Sequence, residues 1–160
     1  GKYQGDFPTV LNNIYLVKEI ITMNKAVIYI SGTTDETVNN MIVDVLERYC
    51  EKHEYEIVAL LGENSQAGMS MPMKYSFIGM SEVEDIDAVV TLSGAMVGRT
   101  DKEIMETIEL LAYFGITVET AKEDMDEYQE IELITKIQLE NIFVRVQELY
   151  QVVLQFILKK

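Results

Sequence analysis

Hydroxyl side chains follow the first strongly apolar run of the sequence. The run 26–31 (AVIYIS) leads through Gly32 into Thr33 and Thr34. In α/β folds, ligands and reactive side chains gather at the carboxyl ends of strands, so a hydroxyl here could act as a nucleophile. The alternative role is structural, because Thr33 and Glu36 have the spacing of a capping box at a helix start. We favour the capping role, since capping boxes far outnumber nucleophiles.

A second polar turn follows another apolar run. Ser93 and Gly94 come directly after residues 87–92 (DAVVTL). Glycine plus hydroxyl at two strand ends, Ser31-Gly32-Thr33 and Ser93-Gly94, could hold a phosphate or sulfate ion. Neither turn has the glycine spacing of a nucleotide-binding loop. A small-anion-binding α/β module therefore remains an alternative function.

The lone cysteine and the lone histidine do not indicate a metal site. Cys50 lies in a helical pattern and is interpreted as a small buried hydrophobe, and His53 has no second histidine to join it. We therefore expect no metal and no cofactor.

The charge balance argues against a large DNA-binding surface. The chain of 160 residues has a formal net charge of -14 and contains only three arginines, Arg48, Arg99 and Arg145. Residues 25–120 contain 6 lysines and arginines against 17 aspartates and glutamates. Such a surface repels polyanions, so we expect this segment alone to bind DNA weakly.

Composition and patterning favour one main domain in the cytoplasm. With 48% hydrophobic residues, the chain can build a sizeable core. No apolar run reaches the roughly 18 residues that span a bilayer, and the N-terminus lacks the layout of a signal peptide. We expect no membrane association.

Short apolar runs alternate with helical patterns from residue 25 onward. The predicted strands are 26–31, 56–61, 87–92 and 116–120. One predicted helix follows the first strand and has the buried face Val38, Met41, Ile42, Val45, Leu46 and Tyr49. Another begins at Thr100-x-x-Glu103 and stops at Gly115. This order predicts an α/β fold with a mostly parallel central sheet and helices on both faces.

The chain divides into three predicted segments. Residues 1–24 form an N-terminal extension, helical in pattern, in which Met23 is a plausible native start. Residues 25–125 form the α/β domain, and residues 126–160 a long C-terminal helix. Within the domain, residues 62–72 (GENSQAGMSMP) are predicted to be a mobile loop near any site.

The C-terminal helix, residues 127–158, contains no Gly or Pro and has a seam of apolar residues at alternating spacings of three and four. The seam comprises Leu139, Ile142, Val146, Leu149, Val153 and Phe156, flanked by Phe143, Tyr150 and Ile157. This pattern is typical of a coiled coil and predicts an oligomer, most simply a dimer. The alternative is that the helix packs on its own domain or on residues 8–22.

The order of these elements resembles the catalytic domain of the serine recombinases, the resolvase and invertase family, over residues 25–125. In that family the first strand leads into a pattern like A-R-V-S-T-D-x-Q, and the third into D-R-L-G-R. The resemblance implies a resolvase-like fold, DNA strand cleavage and exchange, and a long helix that serves dimer contact.

The resemblance also assigns positions in the site. It places the nucleophilic serine at Thr33 and a phosphate-binding arginine at Arg99. Positions that are arginine in the family fall on Ser31, Met71 and Met96. Arg99 has an alternative role as a helix-start residue paired with Asp101.

These substitutions set the expected function. Phosphodiester transfer needs positive charge held against the phosphoryl oxygens, which serine and methionine do not supply. We therefore expect a catalytically inactive, resolvase-like domain that acts by oligomerisation in a DNA recombination or regulatory protein, such as one from a mobile element. An active recombinase with Thr33 as nucleophile is the alternative.

Overall fold

The computed structural model describes residues 23–32, 35–64 and 67–159. Residues 1–22, which contain most of the predicted N-terminal helix, lie outside the described residues. Thr33 also lies outside them. The strands are β1 (Asn24–Ser31), β2 (Tyr55–Glu63), β3 (Ala88–Thr91) and β4 (Thr117–Thr120). The helices are α1 (Glu36–Lys52), α2 (Met71–Val83), α3 (Asp101–Tyr113) and α4 (Glu127–Leu158), with short 3-10 segments at Gly94–Met96 and Ala121–Asp124.

The four strands form one parallel sheet in the order β2-β1-β3-β4. Each predicted strand is present, with bounds shifted by no more than two residues at either end. Since the strands are parallel, their carboxyl ends lie at one edge of the sheet, where β1 ends at Ser31 and β3 at Thr91. Of the residues that the sequence singled out, Ser31 lies at this edge.

Helices cover both faces of the sheet, as predicted. On one face, Ala26, Ile28 and Ile30 of β1 pack against the apolar side of α1. On the other, Val27 and Tyr29 pack with Phe77 of α2 and with Leu111 of α3. Residues 26–29 are fully buried because β1 is a central strand of the sheet and is covered by helices on both faces.

The predicted cap of α1 is wrong. The helix begins at Glu36, and its N-cap is Asp35, whose carboxylate accepts a hydrogen bond from the Val38 N–H at 3.1 Å. Glu36 is therefore the first residue of the helix. It cannot be the N3 residue of a capping box in which Thr33 is the N-cap. An aspartate is as good a cap as a threonine, so the local sequence allowed both starts.

The cap of α3 is confirmed. The Thr100 hydroxyl accepts a hydrogen bond from the Glu103 N–H at 3.2 Å. The Glu103 carboxylate in turn accepts from the Arg99 N–H at 2.8 Å. The helix ends at Tyr113, and Gly115 (φ 78°) turns the chain into β4.

Helix α2 was not predicted from the sequence. Its apolar residues lie all around the helix rather than on one stripe, so no helical period stands out. Only Phe77 of this helix is buried. The loop before α2 is partly fixed, because Gly68 and Met69 are buried and the Met69 N–H donates to the Val97 carbonyl at 3.0 Å.

Helix α4 is the predicted long C-terminal helix. It starts with a capping box between Asp126 and Gln129. Near its start, Leu133 is buried and Ile137 packs against the core on the α1 side. Its 32 residues correspond to about 48 Å, and nearly all side chains after Ile137 are exposed. No helix in the described part of the chain is long and apolar enough to cross a bilayer.

Candidate functional site

Two of the positions where the resemblance implies arginines contact each other at the carboxyl edge of the sheet. The Ser31 hydroxyl, buried at the end of β1, donates to the Met96 carbonyl at 2.9 Å. The Thr91 hydroxyl at the end of β3 lies 3.3 Å from the Met96 sulfur. Neutral groups thus satisfy one another here, and no cation takes part in these contacts.

The chain that precedes α2 closes over this edge. Gly68 has φ of 83°, and a Cβ built on it would lie 2.7 Å from the Gly98 Cα. Such a close approach between two backbones requires glycine. Ser70 caps α2 by accepting from the Met73 N–H at 3.2 Å. Met71, the first residue of α2, is 47% exposed and takes no part in the Ser31 to Met96 contact.

Glu63 is a site residue that sequence reasoning missed. It ends β2, and its Oε1 accepts hydrogen bonds from the Tyr29 hydroxyl at 2.8 Å and from the Ser70 N–H at 3.0 Å. The Glu63 carbonyl also accepts from the Gly32 N–H at 3.3 Å. The signal was the Tyr29 hydroxyl, because a phenol inside an apolar strand needs a buried partner.

These contacts shift two pKa values in opposite directions. Burial opposes ionisation of Glu63, but the hydrogen bonds from Ser70 and Tyr29 outweigh it and lower the pKa of this carboxyl. Burial and then the hydrogen bond to Glu63 raise the pKa of Tyr29. At neutral pH, Glu63 is therefore an ionised carboxylate beside the end of β1, and it accepts a hydrogen bond from the Tyr29 hydroxyl.

Arg99 lies on the surface next to this edge. Its side chain is exposed, and its backbone N–H is held by Glu103. Within the ranges that the structure describes, its guanidinium forms no ion pair, so the predicted pairing with Asp101 is not formed. Arg99 is thus placed beside the site with its guanidinium in solvent.

The second polar turn does not form an anion cradle. Ser93 precedes the 3-10 segment Gly94–Met96 and makes no side-chain cap bond to it. The cavity of about 430 Å³ beside Gly94 is lined by the carboxylates of Glu119, Glu123 and Asp124. Of the residues that the structure describes, no lysine or arginine lines this cavity, so its charge disfavours phosphate or sulfate.

The remaining candidate ligands have structural surroundings. Cys50 is fully buried in the core on the α1 side, and burial raises the pKa of its thiol to about 11. The His53 ring lies 3.2 Å from an Asp124 carboxylate oxygen and stacks on Tyr49. Among the described residues, no group of three or more His, Cys, Asp or Glu side chains could hold a metal ion.

The fold of the chain is similar to solved structures, whereas the comparisons by sequence found no match. No protein-family model matches the chain, and no curated protein matches it. The N-terminal catalytic domain of TP901-1 integrase is similar over 78% of this chain and 99% of its own, at 18% identity and a TM-score of 0.53. The chain has the fold of a serine recombinase catalytic domain.

Two further structures are similar to the same fold. A resolvase family site-specific recombinase from Streptococcus pneumoniae matches over 82% of this chain and 97% of its own, at 12% identity and a TM-score of 0.52. The C-terminal catalytic domain of ISC1926 TnpA, an IS607-like serine recombinase, matches over 71% and 79%, at 18% identity and a TM-score of 0.51. The resolvase-like architecture that the order of motifs implied is therefore confirmed.

The glycine beside the site yields a stability prediction. We expect Gly68→Ala to lower the free energy of unfolding by about 1–3 kcal/mol, because the new Cβ meets backbone and the φ is left-handed. The matched control is Gly79→Ala in α2, where nothing lies within 4 Å and alanine favours the helix by about 0.5–1 kcal/mol. Urea unfolding of both variants measures the difference. Equal stability of the two would show that the loop does not pack as described.

The Glu63 carboxylate yields a pH prediction. Its pKa is lower in the folded chain than its ordinary value of 4.5, so its stabilisation is present above that value and is lost as the pH falls through the folded-state pKa. We expect Glu63→Gln to be less stable than wild type at about pH 6 and to approach wild type at about pH 3. The exposed Glu56→Gln on the same strand is the control. A Glu63→Gln deficit that is equal at both pH values would contradict the described hydrogen bonds.

Proposed function

We propose that this chain is a catalytically inactive domain with the serine recombinase fold, which acts by self-association in a DNA recombination or regulatory protein. The observation that carries this proposal is that uncharged side chains stand at two positions of expected arginines. The Ser31 hydroxyl donates to the Met96 backbone carbonyl, and the Met96 sulfur lies 3.3 Å from the Thr91 hydroxyl. The name of the similar ISC1926 TnpA describes an IS607-like serine recombinase, which supports a mobile-element context.

The chemistry of phosphodiester transfer supports the loss of activity. Negative charge develops on the phosphoryl oxygens, and losing one preorganised donor commonly reduces the rate about 100- to 1,000-fold. Arginine suits this role because it donates two parallel hydrogen bonds, whereas methionine donates none. Of the implied cationic positions, Arg99 alone is an arginine.

The local charge supports the same conclusion. The charged group nearest the end of β1 in the described hydrogen-bond network is the Glu63 carboxylate, kept ionised by Tyr29 and Ser70. A fixed negative charge disfavours both a phosphodiester and the further charge that forms during its transfer. With a formal net charge of -14, the domain as a whole should contact DNA weakly, leaving recognition to another part of the assembly.

The surface of α4 supports self-association. Its seam residues Leu139, Ile142, Val146, Leu149 and Val153 are all exposed, between 46% and 64%. From residue 139 to residue 158 the helix carries only Glu140, Arg145 and Glu148 as charged residues. A long apolar surface of this kind is typical of an interface, and the spacing fits the same helix of a second copy.

Inactivity can be tested with supercoiled plasmid DNA. We expect neither nicking nor a denaturant-resistant protein–DNA adduct from the wild-type chain, because the positions of three arginines lack positive charge. The matched variant carries Ser31→Arg, Met71→Arg, Met96→Arg and Thr33→Ser, which together are expected to be required for any cleavage. A protein–DNA adduct that forms with the wild-type chain and is lost in Thr33→Ala would contradict the proposal and favour an active recombinase.

Self-association can be tested by light scattering at about 20 μM protein. We expect an oligomer, most simply a dimer, that dissociates in Leu149→Asp because the charge lies in the seam. The control is Gln155→Asp, which places the same charge on the polar face with Asn141 and Glu148 and should leave the oligomer intact. A wild-type monomer unaffected by Leu149→Asp would mean that the seam is covered within one chain.

A further inference from the structure

The described helices leave part of β2 uncovered on the α1 side of the sheet. The register pairs Ile57 of β2 with Ala26 and Leu60 with Ile28, and both β1 residues face the core on the α1 side. Ile57 and Leu60 therefore lie on this face, where they are 40% and 51% exposed, and together they form the β2 patch. Parallel sheets in α/β proteins are covered on both faces, so the patch indicates a further covering element.

None of the described helices supplies this cover. α2 and α3 pack on the opposite face of the sheet. α4 packs along one flank of α1, where Met41 lines a cavity with Leu133 and with Ala121, which follows β4. At 100° per residue, Val43 lies on the other flank of α1, which is the flank toward β2. The side of α1 next to the β2 patch is therefore open within the described part of the chain.

Residues 7–21, which lie outside the described residues, have a one-sided apolar pattern in their sequence. The apolar positions form the N-terminal stripe, which comprises Phe7, Val10, Leu11, Ile14, Val17 and Ile21. On a helix, these six positions would fall within about 120° of the circumference. Thr9, Asn12 and Glu19 would fall on the other side. A helix with such a stripe is stable when the stripe packs against an apolar surface.

The point at which this segment joins the sheet lies beside the β2 patch. β1 begins at Asn24, which pairs with Tyr55 at the start of β2, and Ile57 is two residues further along. Ile21 is three residues before Asn24, so the two Cα atoms are at most about 10 Å apart. A helix over residues 7–21 would be about 22 Å long, and the nine residues of β2 extend over about 30 Å. The helix can therefore run back along β2 from this point.

The spacing of the stripe matches the spacing of the patch. The bulge in β2 adds one residue, so Ile57 and Leu60 are separated along the sheet by the two-residue rise of their partners on β1, about 7 Å. Residues four apart on a helix are separated by about 6 Å along its axis. Ile21 can therefore lie over Ile57 while Val17 lies over Leu60.

A segment of the same chain suits this patch better than a second copy does. The patch has two exposed side chains, whereas a stable interface between separate chains buries about 800 Å² on each partner. A tethered segment needs less contact area, because its effective concentration is in the millimolar range. Residues 7–21 contain one lysine and one glutamate, so they bring no net charge to a chain whose formal net charge is -14.

We propose that residues 7–21 form a helix that packs on the β2 patch beside α1, within the same chain. Ile21 contacts Ile57, Val17 contacts Leu60, and the polar side of the helix faces solvent. The segment thereby completes the cover of the sheet on the α1 side and leaves the seam of α4 open. This inference does not rest on the proposed loss of catalysis or on self-association through α4.

The first test cross-links pairs of introduced cysteines in the full chain with a short bis-maleimide. Val17→Cys with Leu60→Cys is expected to cross-link within one chain and to give a product of monomer mobility on a denaturing gel. The matched control is Glu19→Cys with Leu60→Cys, which places the cysteine on the opposite side of the helix and should cross-link at least about threefold more slowly. The native Cys50 is fully buried, so its thiol reacts slowly in the folded chain.

The second test measures how fast a maleimide labels Leu60→Cys. Adding Ile14→Asp places a charge in the N-terminal stripe and is expected to speed this labelling at least about threefold, because it weakens the packing of the helix. Asn12→Asp adds the same charge on the polar side and should leave the rate unchanged. Val83→Cys, at an exposed position at the end of α2, should be labelled equally fast with and without Ile14→Asp. Circular dichroism establishes that the variants are folded.

Three results would overturn the proposal. One is cross-linking to Leu60→Cys that is absent or is equally fast from Val17→Cys and Glu19→Cys. Another is a cross-linked product of dimer mobility alone, which would assign the β2 patch to the N-terminal segment of a second copy. The third is a labelling rate of Leu60→Cys that Ile14→Asp does not change.

Discussion

The burial of β1 on both faces is the constraint on which the rest of the structure depends. Residues 26–29 have no exposed surface, so α1 must cover one face while α2 and α3 cover the other. The helices that cover β1 are also the crossovers that make its neighbours parallel to it, and parallel strands have their carboxyl ends at one edge of the sheet. The position of the candidate site at this edge is therefore set by the packing of the sheet and does not depend on which side chains lie there.

The same burial explains why the site has a carboxylate. Tyr29 places a hydroxyl in an apolar layer, where an unpaired hydroxyl would be destabilising. Glu63 accepts its hydrogen bond and also holds the Ser70 N–H, which fixes the start of α2. A requirement of the core thus positions the loop over the strand ends and sets the local charge there.

The sequence predicted the elements that have a clear local pattern, and it missed features whose local pattern is ambiguous or whose partner is distant in the chain. Strand β1 was predictable because it is a short, continuous apolar run, and helix α4 because its apolar residues recur at spacings of three and four. Helix α2 was missed because its apolar residues surround it, and the cap of α1 was misplaced because Thr33 and Asp35 are both good caps. Glu63 escaped notice because Tyr29, its partner, is 34 residues away in the chain.

A site without converging arginines also agrees with the energetics of this fold. Converging arginines repel one another and require desolvation, so an active site of that kind lowers stability in exchange for function. Here the Ser31 hydroxyl satisfies the Met96 carbonyl, and the Met96 side chain packs against both cores. Both positions thus contribute to the packing of this edge. Among the described residues, α4 packs on the core through Leu133 and Ile137 in its first turns. The proposed loss of catalysis is therefore compatible with a well-packed edge of the sheet, because the side chains that stand there are already satisfied within the fold.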